Sequence, residues 1–194
     1  MKLLKKVLKK VLYVLWIVIA LIVLGVLLVY PSFFSVDNLT SFIRQFESQL
    51  LLAYILFSCI RGLFLIPSTP LVLAGAILFP DSPITVIVIS MIGILFTTLM
   101  LYYYSDTLGF SKKLEAKFPA KMIKWKGRLQ SKNAIWIVLL WSFFPFVPTD
   151  LICYVAGIVK MPLKYLLLGV LIGELILVSC CVLLGTGIFE WFMS

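Results

Sequence analysis

The sequence predicts an all-α integral membrane protein: three full spans plus two opposed re-entrant hairpins in an inverted repeat, with interfacial amphipathic helices. Three observations predict it. The 194 residues are 63% hydrophobic, with a mean hydropathy of +1.16, far above a soluble domain and with no room for a separate one. Two apolar stretches are broken by prolines in matching fashion, and each is followed by a long apolar segment with a glycine near its centre (Gly93, Gly173). The lysines that give the net charge of +9 flank apolar segments. They read as orientation signals and as attraction to anionic headgroups, not as a nucleic-acid footprint.

Residues 1–50 form the N-terminal unit. Lys2, Lys5, Lys6, Lys9 and Lys10 share one helical face, which places the start of the helix in the inner headgroup layer. The run 11–30 has about 20 residues, enough to cross roughly 30 Å of hydrocarbon. A secretory core is shorter, and Tyr30-Pro31-Ser32-Phe33-Phe34 is too bulky for a cleavage site, so the run is expected to be an uncleaved anchor. Pro31 ends it. From 35 to 50, Leu39, Phe42, Ile43, Phe46 and Leu50 repeat near 3.6, with Ser35 or Asp37 as cap; this predicts a short helix on the outer surface.

Residues 51–187 form the main membrane unit. Residues 51–80 are apolar but interrupted by Pro67 and Pro70. The first arm (51–66) spans about 24 Å as a helix and the second (71–79) about 13 Å, so neither is a comfortable crossing. Residues 84–104 are a full span. Residues 105–133 are basic, with Leu114, Phe118, Met122, Trp125 and Leu129 forming an apolar stripe; an amphipathic helix on the membrane surface is expected, and an RNA-binding arm would not need the stripe. Residues 134–160 repeat the broken pattern at Pro145 and Pro148, and 163–187 carry the last span. In the tail, 188–194, Trp191 suits the interface.

The two breaks read Pro67-Ser68-Thr69-Pro70 and Pro148-Thr149-Asp150. Each leads to a glycine (Gly75, Gly157) and, five residues on, to another proline (Pro80, Pro162). Broken segments in corresponding halves are the pattern of transporters with internal repeats. The positive-inside rule sets the topology. With the N-terminus in the cytoplasm, a single crossing by 51–80 would leave eight basic residues of the following loop outside. A dip that returns to the outer face keeps them inside. The same reasoning applied to Lys160 and Lys164 makes 134–160 a dip from the cytoplasmic face. Proline-broken backbone survives at mid-depth only where protein encloses it or it lines a wet cavity, so the two tips should meet.

Three ionisable residues fall inside the apolar segments: Arg61, Asp150 and Glu174. Each costs roughly 2.5–3.5 kcal/mol unpaired at mid-membrane. One arginine and two carboxylates leave one carboxyl without an internal partner, which makes Asp150 or Glu174 a candidate proton carrier. Which of the two pairs with Arg61 stays open. Arg61 suits a phosphate, and Ser68, Thr69 and Thr149 add hydroxyls beside helix N-termini that favour an anion. The plainer reading is an Arg61–Asp150 lock, Glu174 protonated or bonded to Ser179 or a backbone carbonyl, and hydroxyls that cap the broken helices. No His is present, and Cys59, Cys153, Cys180 and Cys181 all lie in apolar segments. A metal site, a disulfide framework and a cofactor are therefore not expected, and no nucleophile–base spacing suggests an enzyme.

Arg61-Gly62, Ile66-Pro67-Ser68-Thr69-Pro70 and Ala74-Gly75, with Phe144-Pro145-Phe146-Val147-Pro148-Thr149-Asp150 and Tyr154-Val155-Ala156-Gly157, resemble the DedA / VTT-domain family, also called SNARE-associated Golgi proteins. The resemblance covers about residues 50–187. It implies two opposed re-entrant hairpins and movement of lipid between leaflets: scrambling in eukaryotic members, recycling of undecaprenyl phosphate in bacterial ones, in some cases dependent on proton motive force. Arg61, Pro67, Pro70, Gly75, Pro148, Asp150 and Gly157 fall on the family's hairpin motifs. Many bacterial members carry carboxylates in hairpin one and arginines in or before hairpin two. Here hairpin one has Arg61, and Trp141-Ser142 stand where the arginine often sits, so the match is closer to the subgroup with Pro-Thr-Asp in the second hairpin.

The expectation is a translocase or scramblase of the bacterial cytoplasmic membrane for a lipid phosphate, undecaprenyl phosphate or phospholipid. Its partners are anionic or phosphate-bearing membrane lipids, with protons as candidate coupling ion. The rivals are a proton-coupled transporter of a small ion or solute, and a non-transporting membrane-organisation protein in which the charges only lock the fold.

Overall fold

The computed structural model describes residues 18, 19, 22, 23, 25, 26, 29–64, 66–105, 126–145 and 147–185. The lysine-rich start, most of the expected anchor, the stripe from Leu114 to Trp125, Leu65, Phe146 and the tail with Trp191 lie outside these residues. All described regular structure is helical.

Pro31–Phe34 forms a 3-10 turn, after which Val36–Arg44 forms α1. Ser35 is its cap, accepting from the Asn38 amide at 3.4 Å, with Asp37 in the positive first turn. The helix expected over 35–50 is thus shorter than predicted. It ends at Arg44, and Glu47–Gln49 is a separate 3-10 turn. The first broken stretch contains α2, Leu50–Ile60, a 3-10 turn at Arg61–Phe64, and α3, Ser68–Leu78. Next come α4, Pro83–Tyr104, α5, Ala134–Phe143, α6, Thr149–Ile158, and α7, Leu163–Leu184.

The prolines explain the ends. Pro67 and Pro148 precede α3 and α6 and hold extended ψ values of 143° and 114°. Pro70 falls in the first turn of α3, where a missing amide costs nothing. Pro83 opens α4, and α7 starts after Pro162 and stops at Gly185, whose φ is +68°. Lys160 takes the left-handed region at φ 53°, and Met161 N–H returns to the Ala156 carbonyl at 2.9 Å, which closes α6 and turns the chain into α7.

Two helices, α4 and α7, are each 22 residues long with hydropathies of 2.5 and 2.7 over their most apolar windows. At 1.5 Å per residue each measures about 33 Å, enough for hydrocarbon thickness. The broken helices are too short for this. Their packing is reciprocal. The first arm of each stretch lies on the long helix that follows it, α2 on α4 and α5 on α7. The second arm crosses to the other half, α3 on α7 and α6 on α4.

Small residues set these approaches. A Cβ on Gly93 would stand 2.5 Å from the Ser58 carbonyl oxygen, and one on Gly173 would stand 2.8 Å from that of Leu139 and 2.9 Å from Ser142 Cβ. The central glycine of each long helix therefore seats a serine-bearing turn of its own first arm. In the second arms, Gly75 faces the Tyr54 ring, and Gly157 lies against Ser105 and the Tyr102 carbonyl. Close backbone approach at small residues is how helices associate where no hydrophobic force separates helix from lipid.

Candidate functional site

Where the two breaks meet, the polar residues converge. Arg61 opens the 3-10 turn after α2, so its side chain leaves the helix before the proline break. Its Nη1 donates to the Ile66 carbonyl at 3.1 Å and to Asp150 Oδ2 at 3.3 Å. Arg61 is 7% exposed and Asp150 4%. Asp150 is the second residue of α6. It faces both the positive N-terminal end of that helix and the guanidinium, an arrangement that offsets the cost of burying each charge. Gly62 makes the approach possible, since a Cβ there would fall 2.5 Å from Thr97 Cγ2 and 2.9 Å from Asp150 Oδ1.

Beside this pair, Thr149 donates its hydroxyl to Glu174 Oε1 at 2.5 Å. Glu174 lies in mid-α7 and is 0% exposed, and its Oε2 has no hydrogen-bond partner. Ser68 stands next to the same carboxyl. Thr69 donates to the Pro145 carbonyl at 3.2 Å, which ties the start of α3 to the break before α6. The N-termini of α3 and α6 therefore converge on one region that contains one guanidinium and two carboxyl groups.

Five of the six expected residues are thus hydrogen-bonded at or beside the breaks: Arg61 with Asp150, Thr149 with Glu174, and Thr69 with the Pro145 carbonyl. The sixth, Ser68, faces Glu174. The partner of Arg61, open in the sequence, is Asp150. Glu174 takes Thr149 rather than Ser179. The hydroxyls of Thr69 and Thr149 do not cap their own helices, since α3 and α6 have no side-chain cap bond. They bond across elements instead, because the preceding Pro67 and Pro148 occupy the cap positions. The prolines and glycines named with them shape the backbone: Pro67, Pro70 and Pro148 set the helix starts, Pro145 supplies the carbonyl, and Gly75 and Gly157 admit close neighbours.

Several polar neighbours escaped notice in the sequence. Tyr54, Ser58, Arg61, Ser68 and Ser90 line a narrow cleft with no room for a water molecule. Tyr54 Oη and Ser90 Oγ are 2.9 Å apart, and Ser58 Oγ is buried without a partner. The signal was there: Tyr54, Ser58 and Arg61 are spaced four and three apart, and so are Gly93, Thr97 and Ser90 in reverse order on α4, which puts each set on one helical face.

The family model described as VTT domain matches residues 66–187, more than half of the chain. No curated protein and no solved structure matches significantly.

Proposed function

We propose a lipid-translocating function for this chain, which belongs to the DedA/VTT-domain family. Members are membrane proteins often linked to transport or lipid flipping. The substrate in this reading is a lipid phosphate, undecaprenyl phosphate or a phospholipid, and the membrane is the bacterial cytoplasmic membrane with the N-terminus inside. The two broken stretches enter as re-entrant hairpins from opposite faces, and together with the anchor α4 and α7 make three spans. The headgroup passes through the polar region at the breaks while the apolar chains stay in hydrocarbon.

One observation carries the reading. A buried arginine–carboxylate pair joins the two breaks, and a second carboxyl, Glu174, lies beside it with one oxygen unpartnered. A charge cluster of this kind deep in apolar helices costs several kcal/mol unless function retains it. In the proposed cycle, Arg61 exchanges Asp150 for the incoming phosphate, which it can grip through two N–H groups. Glu174 and Asp150 change protonation as the region switches face. No enzymatic step is part of this reading.

The test is a leaflet-resolved flipping assay on purified protein in proteoliposomes, run with and without a pH gradient. Wild-type protein moves a labelled lipid phosphate. Arg61→Ala and Asp150→Asn insert normally and move none. Lipid flux at the wild-type rate from the double variant refutes the role of the pair. Uptake of a small solute without lipid redistribution favours the solute-transporter rival. Full function after exchanging the two charges (Arg61→Asp with Asp150→Arg) favours the fold-locking rival.

A further inference from the structure

A cavity of about 570 Å³ lies between the segment around α1 and the start of the first broken stretch. Phe34, Leu39, Phe42, Phe57 and Phe64 form most of its wall, and Arg61 also lines it. Its surface is almost wholly apolar, yet the buried Arg61 is among the residues that line it. Asn38, Ser41 and Gln45 add polar groups from α1. Phe42 stacks edge-on against Phe57 at 5.4 Å between centroids. Phe33 and Phe42 remain 64% and 44% exposed at its rim, so the wall continues as apolar surface.

We infer that this cavity is a subsite for one hydrocarbon chain of an anionic lipid whose headgroup meets Arg61. The inference rests on the reading of Arg61 as the phosphate ligand. Two arguments select the occupant. The first is charge: Arg61 helps to line an apolar pocket, and a lipid with an anionic head can offer it a phosphate in exchange for Asp150, whereas a neutral apolar ligand offers it none. The second is volume. At 570 Å³ the cavity falls within the roughly 300–1,000 Å³ range of small-molecule pockets, room for one chain rather than a whole lipid. That is the size of a single long acyl chain or the first few isoprene units of a polyprenyl chain. A second acyl chain, or the remainder of a long polyprenyl, stays in the bilayer. The pocket therefore admits either lipid source by the chain next to its phosphate.

The test uses the full chain in lipid nanodiscs with trace phosphatidic acid carrying a diazirine at the end of one chain. A polyprenyl phosphate probe with a diazirine in its early isoprene units and a diacylglycerol probe of the same chain length are run in parallel. Photo-adducts are mapped by mass spectrometry. The expected adducts fall between Phe33 and Leu71 for at least one anionic probe, and that probe identifies the chain type. The diacylglycerol labels these residues at least tenfold less, and Ser41→Trp, which fills the cavity from an exposed position, lowers the anionic adducts tenfold. Adducts scattered over the lipid-facing surface, equal labelling by the neutral probe, or labelling unmoved by Ser41→Trp overturns the subsite. Flipping is measured on the same preparation. Lipid flux with scattered adducts sinks the subsite and leaves translocation standing. Cavity adducts with no flux sink translocation and leave a lipid-binding site.

Discussion

Replacing Asp150 by Asn keeps the side-chain shape but leaves the Arg61 guanidinium without its carboxylate in surroundings that expose only 7% of the arginine. Removing one partner of a buried pair costs about 3–5 kcal/mol, and a lone charge at mid-membrane about 2.5–3.5 kcal/mol. The overlap, about 3 kcal/mol, is the expected loss, a shift of more than a hundredfold in the folding equilibrium. Arg61→Met should lose a similar amount, because it strands the Asp150 carboxyl and the Ile66 carbonyl that Nη1 serves. The double variant has no stranded charge left. Its cost should be about 3 kcal/mol rather than the 6 kcal/mol of the sum, which gives a coupling of about 3 kcal/mol, at the upper end of such cycles. Reversible unfolding of the four proteins in lipid bicelles measures this. If the double variant costs the sum of the singles to within about 0.5 kcal/mol, the two side chains do not feel each other and the 3.3 Å contact has no energetic meaning.

Other consequences follow from neighbouring contacts. Thr149→Val removes the donor to Glu174 and leaves both carboxyl oxygens without partners; unfolding should register a loss of about 1–3 kcal/mol, and Thr149→Ser should restore most of it. Gly93→Ala drives a methyl against the Ser58 carbonyl at 2.5 Å and should cost about 1–3 kcal/mol by forcing α2 off α4. By contrast Gly127→Ala, with nothing within 4 Å of the added atom, should be neutral or stabilising by up to about 1 kcal/mol. Cysteines at Glu47 and Asp81 should react with an impermeant reagent from one side of sealed vesicles, and cysteines at Ser131 and Lys164 from the other. Opposite-side labelling of Glu47 and Asp81 would show that residues 51–80 cross, and the re-entrant topology would fall.

The helix limits were legible because prolines and span length dictate them. The expected spans 84–104 and 163–187 fall on α4, Pro83–Tyr104, and α7, Leu163–Leu184, and Pro67 and Pro148 marked the breaks. The convergence of Arg61 and Asp150 was legible from cost, since a lone charge there has no tolerable alternative. The choice between Asp150 and Glu174 was not. It depends on Arg61 leaving α2 through a 3-10 turn, and a propensity reading extended the helical arm to residue 66. The exchange of second arms between halves was also illegible. α3, α4, α5 and α7 are apolar on every side, so no stripe in the sequence says which neighbour each face meets. Only the glycines carried that information: their contacts become readable once the neighbouring carbonyls and rings are in place.

The scaffold repeats but its chemistry does not. Each half supplies a broken helix, a proline at the break and a glycine-centred long helix, while the arginine comes from the first half and both carboxyl groups from the second. Asp150 is carried by α6, whose main neighbour α4 belongs to the other half, whereas Arg61 follows α2 and Glu174 lies in α7, and both of these helices pack mainly within their own half. Neither half alone can bury its own charge against an opposite one. The pair therefore requires both halves to be packed together. The polar contacts Arg61–Asp150 and Thr69–Pro145 tie one break to the other. A two-state element needs contacts at its dividing surface that can be remade. In this fold they include the Arg61 cluster at the breaks and, further along α4, the bonds from Tyr102 to the Met161 carbonyl and from Cys153 to Thr98, while the glycine contacts that fix α2 on α4 and α5 on α7 stay within each half. Relative movement of the halves would thus act on the Arg61 cluster together with the Tyr102 and Cys153 bonds, and leave the glycine packing within each half intact.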